Sequence, residues 1–318
     1  MKRKNNRKLL TSVALGMAVL CTLTVPSAAI DSVSETSDSY SVSAAATDGL
    51  SAATRSAEAR AFALPSGATV TALTVNGRRV LEGRVFTLGG TTYVPMFKFA
   101  DWLGKFDYSG SYASGRLSGR IEGQSLRIDA VENNLYISAN GRYFYTGSEV
   151  MNIGGELYIP IRPLVKALNC YVDYSASSGY TVRSGDTSLL KTDRQVYRDS
   201  DVYWLARIIS AEAGGENFRG KMAVGNVVLN RMRSSQFPNS IYGVIFDKQY
   251  GVQFSPVANG TIYNEPTAES VIAAKVCLEG YSLSSEILYF FNPSVVTSSW
   301  ISRTREYAFT IQHHAFYK

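Results

Sequence analysis

One segment, Tyr203 to Met232 (YWLARIISAEAGGENFRGKMAVGNVVLNRM), constrains this chain more than any other. Leu205, Ile208, Ile209 and Glu212 stand at i, i+3, i+4 and i+7, which places them on one stripe of a 3.6-period helix. Three of them are aliphatic and the fourth is a carboxylate. On such a face desolvation disfavours the charged form and raises the pKa toward roughly 6–7, a value suited to a general acid near neutral pH. Ala213-Gly214-Gly215 is expected to end this helix, with glycine as C-terminal cap. Glu216 follows one turn beyond Glu212, and a second helix is expected from about Phe218 to Met232. Periodicity alone leaves a second reading open, in which Glu212 is a solvated or backbone-bonded residue at a helix end.

At 318 residues the chain has room for two domains with an ordinary core. Its net charge of +6 misleads, because Lys2, Arg3, Lys4, Arg7 and Lys8 precede any acid, and without those five the balance is +1. They form the basic start of a secretory signal peptide over residues 1–29. The apolar run Leu9 to Val25 and the small residues Ser27-Ala28-Ala29 complete it. Cleavage after Ala29 would leave a secreted protein with no membrane contact; an uncleaved anchor is the alternative. The basicity is thus a targeting feature, and no nucleic-acid partner is expected. Leu20 before Cys21 is too large for lipoprotein processing. Cys170 and Cys277 remain, and two buried free thiols are favoured over a disulfide. The sole histidines, His313 and His314, are adjacent, and no cluster has metal-ligand spacing, so no metal and no cofactor is expected.

Residues 30–66 are rich in Ser, Ala and Thr and read as a disordered linker. Residues 67–184 carry short β-type runs punctuated by glycine, with an internal repeat. Leu88-Gly89-Gly90-Thr91-Thr92-Tyr93-Val94-Pro95-Met96 is echoed by Ile153-Gly154-Gly155-Glu156-Leu157-Tyr158-Ile159-Pro160-Ile161. Each copy reads as a hairpin turn at Gly-Gly, an alternating strand, a proline stop and an amphipathic helix. The two copies resemble copper amine oxidase N-terminal domain-like repeats, which implies a stalk or wall-contacting module; a plain spacer is the alternative. Despite that family name no copper is expected. Residues 185–200 read as a second, short linker before a domain at 201–318.

In that domain Ala206–Arg231 resembles the opening of the SleB/CwlJ-type spore cortex-lytic cell wall hydrolases. The resemblance continues through Phe237-Pro238-Asn239-Ser240, Gln253-Phe254-Ser255-Pro256-Val257, Tyr289-Phe290-Phe291-Asn292-Pro293, Trp300 and His314-Ala315-Phe316. It implies a multidomain α+β protein: an N-terminal β-rich two-repeat module, then a mainly helical lysozyme-like catalytic domain acting on peptidoglycan. Spore cortex during germination and vegetative wall remain alternative substrates, and oligomeric state is open.

The resemblance puts the catalytic glutamate at Glu212. The absence of a clear second carboxylate favours a lytic transglycosylase over a two-carboxylate glycosidase. Glu216 is the candidate second carboxylate, either orienting Glu212 or serving a water-using muramidase; capping the next helix is its competing role. A non-catalytic wall-binding protein is the reading from another class. Gln253, Phe254, Tyr289 and Asn292 are the candidate glycan-binding residues. Phe254 and Tyr289 have core packing as their alternative, and Asn292-Pro293 has a simple turn. Trp300 is open between core and groove, and His314 is expected to pack.

Overall fold

Gly-Gly turns organise the first half of the described chain. The protein is represented by a computed structural model that describes residues 39–41, 62–80, 83–104, 106–186, 190–249, 251–295 and 300–318. The expected signal peptide and nearly all of the 30–66 linker lie outside the described residues. Strands β1 (Ser39–Ser41), β2 (Thr69–Val70), β3 (Leu73–Val75) and β4 (Arg78–Val80) lead to the first repeat. That repeat is the hairpin β5 (Phe86–Leu88) and β6 (Thr91–Pro95), helix α1 (Met96–Leu103) and β7 (Asp107–Ala113). A meander, β8 (Arg116–Glu122), β9 (Arg127–Val131), β10 (Tyr136–Ala139) and β11 (Arg142–Tyr145), precedes the second copy. The second copy is β12 (Met151–Ile153), β13 (Glu156–Pro160), α2 (Ile161–Ala167) and β14 (Tyr171–Ser175), closed by β15 (Gly179–Arg183).

Both hairpins turn on two glycines with positive φ, 56° and 79° at Gly89-Gly90 and 65° and 88° at Gly154-Gly155. Only a two-residue turn of this hand matches the twist of its strands, and side chains resist it. Each strand then stops at a proline, Pro95 or Pro160, and a helix starts at the next residue. The two copies pair through β6 and β13, with Tyr93 opposite Pro160 and Tyr158 opposite Pro95. Phe86 packs at 5.4 Å from both tyrosine rings. The sheets run β1-β7-β8-β9-β10-β11, β12-β13-β6-β5-β2 and β14-β15-β3-β4. Within the segment expected as linker, Ser39–Ser41 joins the open edge of β7.

The C-terminal half is helical: α3 (Asp193–Val196), α4 (Asp199–Ala213), α5 (Phe218–Arg233), α6 (Ile241–Ile245), α7 (Ser255–Asn259), α8 (Ala268–Leu278) and α9 (Trp300–Thr304). A small sheet closes it, β16-β18-β17, from β16 (Tyr289–Phe291), β17 (Tyr307–Ile311) and β18 (His314–Tyr317). Leu205, Ile208 and Ile209 are fully buried, so the predicted stripe is the inward face of α4. Each such side chain contributes about 1.5–3 kcal/mol relative to exposure. Gly225 lets α4, α5 and α8 meet: a Cβ there would come within 2.9 Å of Ile209 Cδ1 and Cys277 Sγ. Cys277 is buried and Cys170 only half-buried, and both are free thiols. No helix among the described residues is long and apolar enough to cross a membrane.

Within the segment expected as the second linker, residues 190–200 carry local structure. Thr192 and Gln195 form a capping box that starts α3, and α4 begins at Asp199. Asp193 pairs with Lys275 at 2.8 Å and packs on Gly141, where any Cβ would strike its carboxylate. The β10–β11 hairpin continues this contact. Arg142 makes a bidentate bridge to Glu279, at 2.6 and 2.7 Å, and Tyr197 donates its hydroxyl to the same carboxylate. Tyr145 packs with its ring tilted, 4.1 Å from Tyr281, and Tyr136 lies 5.1 Å from Phe218 at the start of α5. The β-rich module is therefore joined to the helical domain by packed side chains.

Candidate active site

Helix α4 delivers Glu212 one residue before its end, on the flank of the buried stripe. The side chain is half-buried, and desolvation by the surrounding protein pushes its carboxyl up to about 7, with the charge of Arg231 pulling the other way. The helix stops at Ala213 as expected, though not by a left-handed cap. Gly214 keeps helical dihedrals, φ −56° and ψ −34°, and a Cβ there would lie 2.5 Å from the Ser210 carbonyl oxygen. Glycine is needed for close approach rather than for positive φ.

Arg231, near the end of α5, is the hub of the site. It is buried, its Nε donates to the Leu288 carbonyl at 2.7 Å, and its guanidinium lies over three rings. Phe237, Phe254 and Tyr289 sit 4.9, 5.2 and 5.4 Å from it. Gln253 Oε1 faces Arg231 Nη1 at 3.5 Å, and Gln253 Nε2 donates to the Gly251 carbonyl at 3.1 Å. Burial draws the Arg231 pKa down to about 10, so it stays charged at neutral pH and its charge favours the ionised form of Glu212. Three of the four expected glycan-binding residues, Gln253, Phe254 and Tyr289, thus converge on one cation. Phe254 and Tyr289 are nonetheless buried, as walls rather than exposed platforms.

Asn292 does not join them. Its Oδ1 accepts from the Ser294 backbone N–H at 2.9 Å and from the Ser294 hydroxyl, which makes it a turn residue. Trp300 is exposed and stands edge-on to Tyr289 at 5.6 Å, with Arg305 over both rings.

Glu216 is buried and bonded to His313. His313 Nδ1 lies 2.9 Å from Oε1, and the His313 backbone N–H donates to Oε2 at 3.3 Å. It does not cap α5: Asn217 is the cap and accepts from the Gly220 N–H at 2.9 Å. Glu216 instead ties the loop after Glu212 to the β17–β18 turn. Lys221 Nζ donates to the Glu216 carbonyl, which braces the same loop. His314 packs edge-on to Phe290 at 5.3 Å, and burial lowers its pKa.

Sequence reasoning gave no role to Asn226, Asn230 or Arg231. Asn226 bonds the Tyr281 carbonyl and the Leu283 N–H, both at 2.9 Å, and Asn230 bonds the carbonyls of Ser284 and Ile287 at 2.9 and 3.0 Å. Together they fasten the segment that carries Tyr289. The available signal was two asparagines four residues apart inside the apolar run VGNVVLNR.

A family model described as Cell Wall Hydrolase matches residues 215–317, beginning three residues after Glu212. The spore cortex-lytic enzyme of Bacillus subtilis is 40% identical over 105 residues, 33% of this chain and 33% of that protein. The spore cortex-lytic enzyme of Oceanobacillus iheyensis is 38% identical over 124 residues, 39% of this chain and 44% of that protein. The chain therefore spans between a third and a half of the length of these curated relatives. Among solved structures, the catalytic domain of the germination-specific lytic transglycosylase SleB from Bacillus anthracis is 36% identical. It covers 38% of this chain and 97% of that one, with a TM-score of 0.35.

Proposed function

We propose that the C-terminal domain, which matches the Cell Wall Hydrolase family model over residues 215–317, cleaves peptidoglycan glycan strands with Glu212 as the acid. The observation that carries this reading is the Glu212 carboxyl held near 7 beside a caged arginine. At neutral pH such a group retains a proton to give, and Arg231 favours the carboxylate that remains.

The reaction we assign is that of a lytic transglycosylase, cutting between N-acetylmuramic acid and N-acetylglucosamine. Glu212 protonates the glycosidic oxygen as the bond to the muramyl C1 breaks. The muramyl C6 hydroxyl then attacks C1, and the Glu212 carboxylate takes its proton. One C–O bond breaks and one forms, no water is consumed, and the acid returns to its starting state. A single titrating carboxyl suffices, and Glu216 is occupied by His313. In this reading Gln253, Phe254 and Tyr289 border the glycan groove, the helical domain is lysozyme-like, and the β-rich repeats hold the secreted or spore-associated enzyme against the wall.

Digestion of purified vegetative and cortex peptidoglycan, with wild-type chain and with Glu212→Gln, tests the proposal by mass spectrometry. Products lighter by one water, absent with the variant, are expected. Reducing muramic ends would instead make the enzyme a water-using muramidase. No product from either substrate would leave a wall-binding protein.

A further inference from the structure

A second surface of the helical domain is built from aromatic rings left open to solvent. Trp204 is its hub. Tyr203 lies 4.9 Å away, Phe246 5.0 Å, Tyr242 5.4 Å and Tyr263 6.3 Å, all edge-on to the indole. Tyr242 and Phe246 stack on each other at 4.5 Å. Tyr203, Tyr242 and Tyr263 are 47%, 54% and 62% exposed, an unusual outlay of aromatic area for a surface with no partner.

The rings are fixed in place. Arg207, itself buried, lies 4.3 Å beneath the Tyr203 ring, and its Nη1 donates to the carbonyls of Tyr263 (2.7 Å) and Asn264. Its Nη2 pairs with Glu265 at 2.8 Å. The guanidinium thereby locks the 261–265 turn against α4, so ordering entropy is already spent before anything binds.

The surface also shares a helix with the candidate acid. Trp204 and Glu212 are eight residues apart on α4, so about 12 Å separates them along the axis. A polymer lying across Glu212 therefore reaches these rings within a few sugar units.

We propose that this surface is a second glycan-binding platform, taking the apolar faces of pyranose rings in an uncut strand several units from the cleaved bond. The proposal rests on the glycan-cleaving reading of Glu212. Tyrosine suits the task because its ring stacks on sugar C–H groups while its hydroxyl stays wet. The platform would make the enzyme selective for long strands over short fragments.

The test uses the full chain carrying Glu212→Gln, so that ligand survives, and peptide-stripped glycan strands graded by length. Adding Tyr242→Ala and Tyr263→Ala is expected to weaken affinity for long strands about tenfold while leaving tetrasaccharide affinity unchanged. Tyr242→Phe with Tyr263→Phe keeps the rings and should keep the affinity, which separates stacking from misfolding. Unchanged long-strand affinity in the alanine pair overturns the platform. So does a self-association abolished by the alanine pair with glycan affinity intact, which would assign the face to a second copy of the chain. If the wild-type chain cuts glycan yet the alanine pair binds normally, the platform falls and the cleavage reading stands. If long-strand binding depends on the tyrosines but no glycan is cut, the platform stands and the cleavage reading falls.

Discussion

Arg142, on a hairpin of the β-rich module, and Glu279, at the end of α8, form a bidentate ion pair whose side chains are only 14% and 6% exposed. Breaking one side of a buried pair strands the other charge, at a cost of about 3–5 kcal/mol. Arg142→Ala is therefore expected to lower the Tm by several degrees and to raise hydrogen exchange in α8 and in the hairpin together. Adding Glu279→Gln should recover part of the loss, because no buried charge is then left unpaired. A double-mutant cycle on thermal unfolding measures the coupling.

Glu212 makes stability depend on pH in a defined direction. Its folded pKa of about 7 lies above the ordinary glutamate value of 4.5. The folded state therefore holds a proton that the unfolded state releases between those values, and this contribution is lost as pH rises toward and through 7. Glu212→Gln should match wild type near pH 4 and be more stable at pH 8, by at most about 3.5 kcal/mol at roughly 1.4 kcal/mol per pH unit. Thermal melts at the two pH values settle it; equal melting differences at both would refute the burial.

The same carboxyl sets the activity profile. Cleavage is expected to fall about tenfold per pH unit above 7, as the proton donor is lost. Removing the Arg231 charge while keeping bulk, with Arg231→Met, should move that alkaline limb upward, since the arginine now pulls the Glu212 pKa down. A limb that stays in place would show that Arg231 does not act on Glu212.

Glu212 and Glu216 are expected to separate cleanly on substitution. Glu212→Gln should cost roughly 10²–10⁴-fold in turnover, the usual worth of a general acid. Glu216→Gln keeps a hydrogen-bonding partner for His313 and should retain most activity, whereas Glu216→Ala should lose stability and turnover together. Rates and melting temperatures of the three variants, taken in parallel, distinguish a proton donor from a loop anchor.

Gly225→Ala would place a methyl 2.9 Å from both Ile209 Cδ1 and Cys277 Sγ. Overpacking of this kind costs about 1–3 kcal/mol, read as a lowered Tm.

Local chemistry made much of this protein legible in its sequence. The i, i+3, i+4, i+7 stripe through Leu205 and Glu212 fixed which face of α4 is buried, because helical periodicity is a property of the backbone itself. The Gly-Gly and proline positions placed both repeat hairpins and the helices after them, because those residues restrict φ and hydrogen bonding wherever they stand. The capping box at Thr192 and Gln195 was equally readable but passed as linker among polar neighbours. What only the tertiary structure decided were relationships across long sequence separations. Arg231 meets Tyr289 because two asparagines on α5 hold the 281–288 segment against it, while Gln253 and Phe254 reach the same guanidinium from a separate segment. Glu216 meets His313, 97 residues away, a partner that no local spacing announces. Charge and hydrogen-bonding capacity are written in each residue, but the partner that uses them is chosen by packing, which no local pattern encodes.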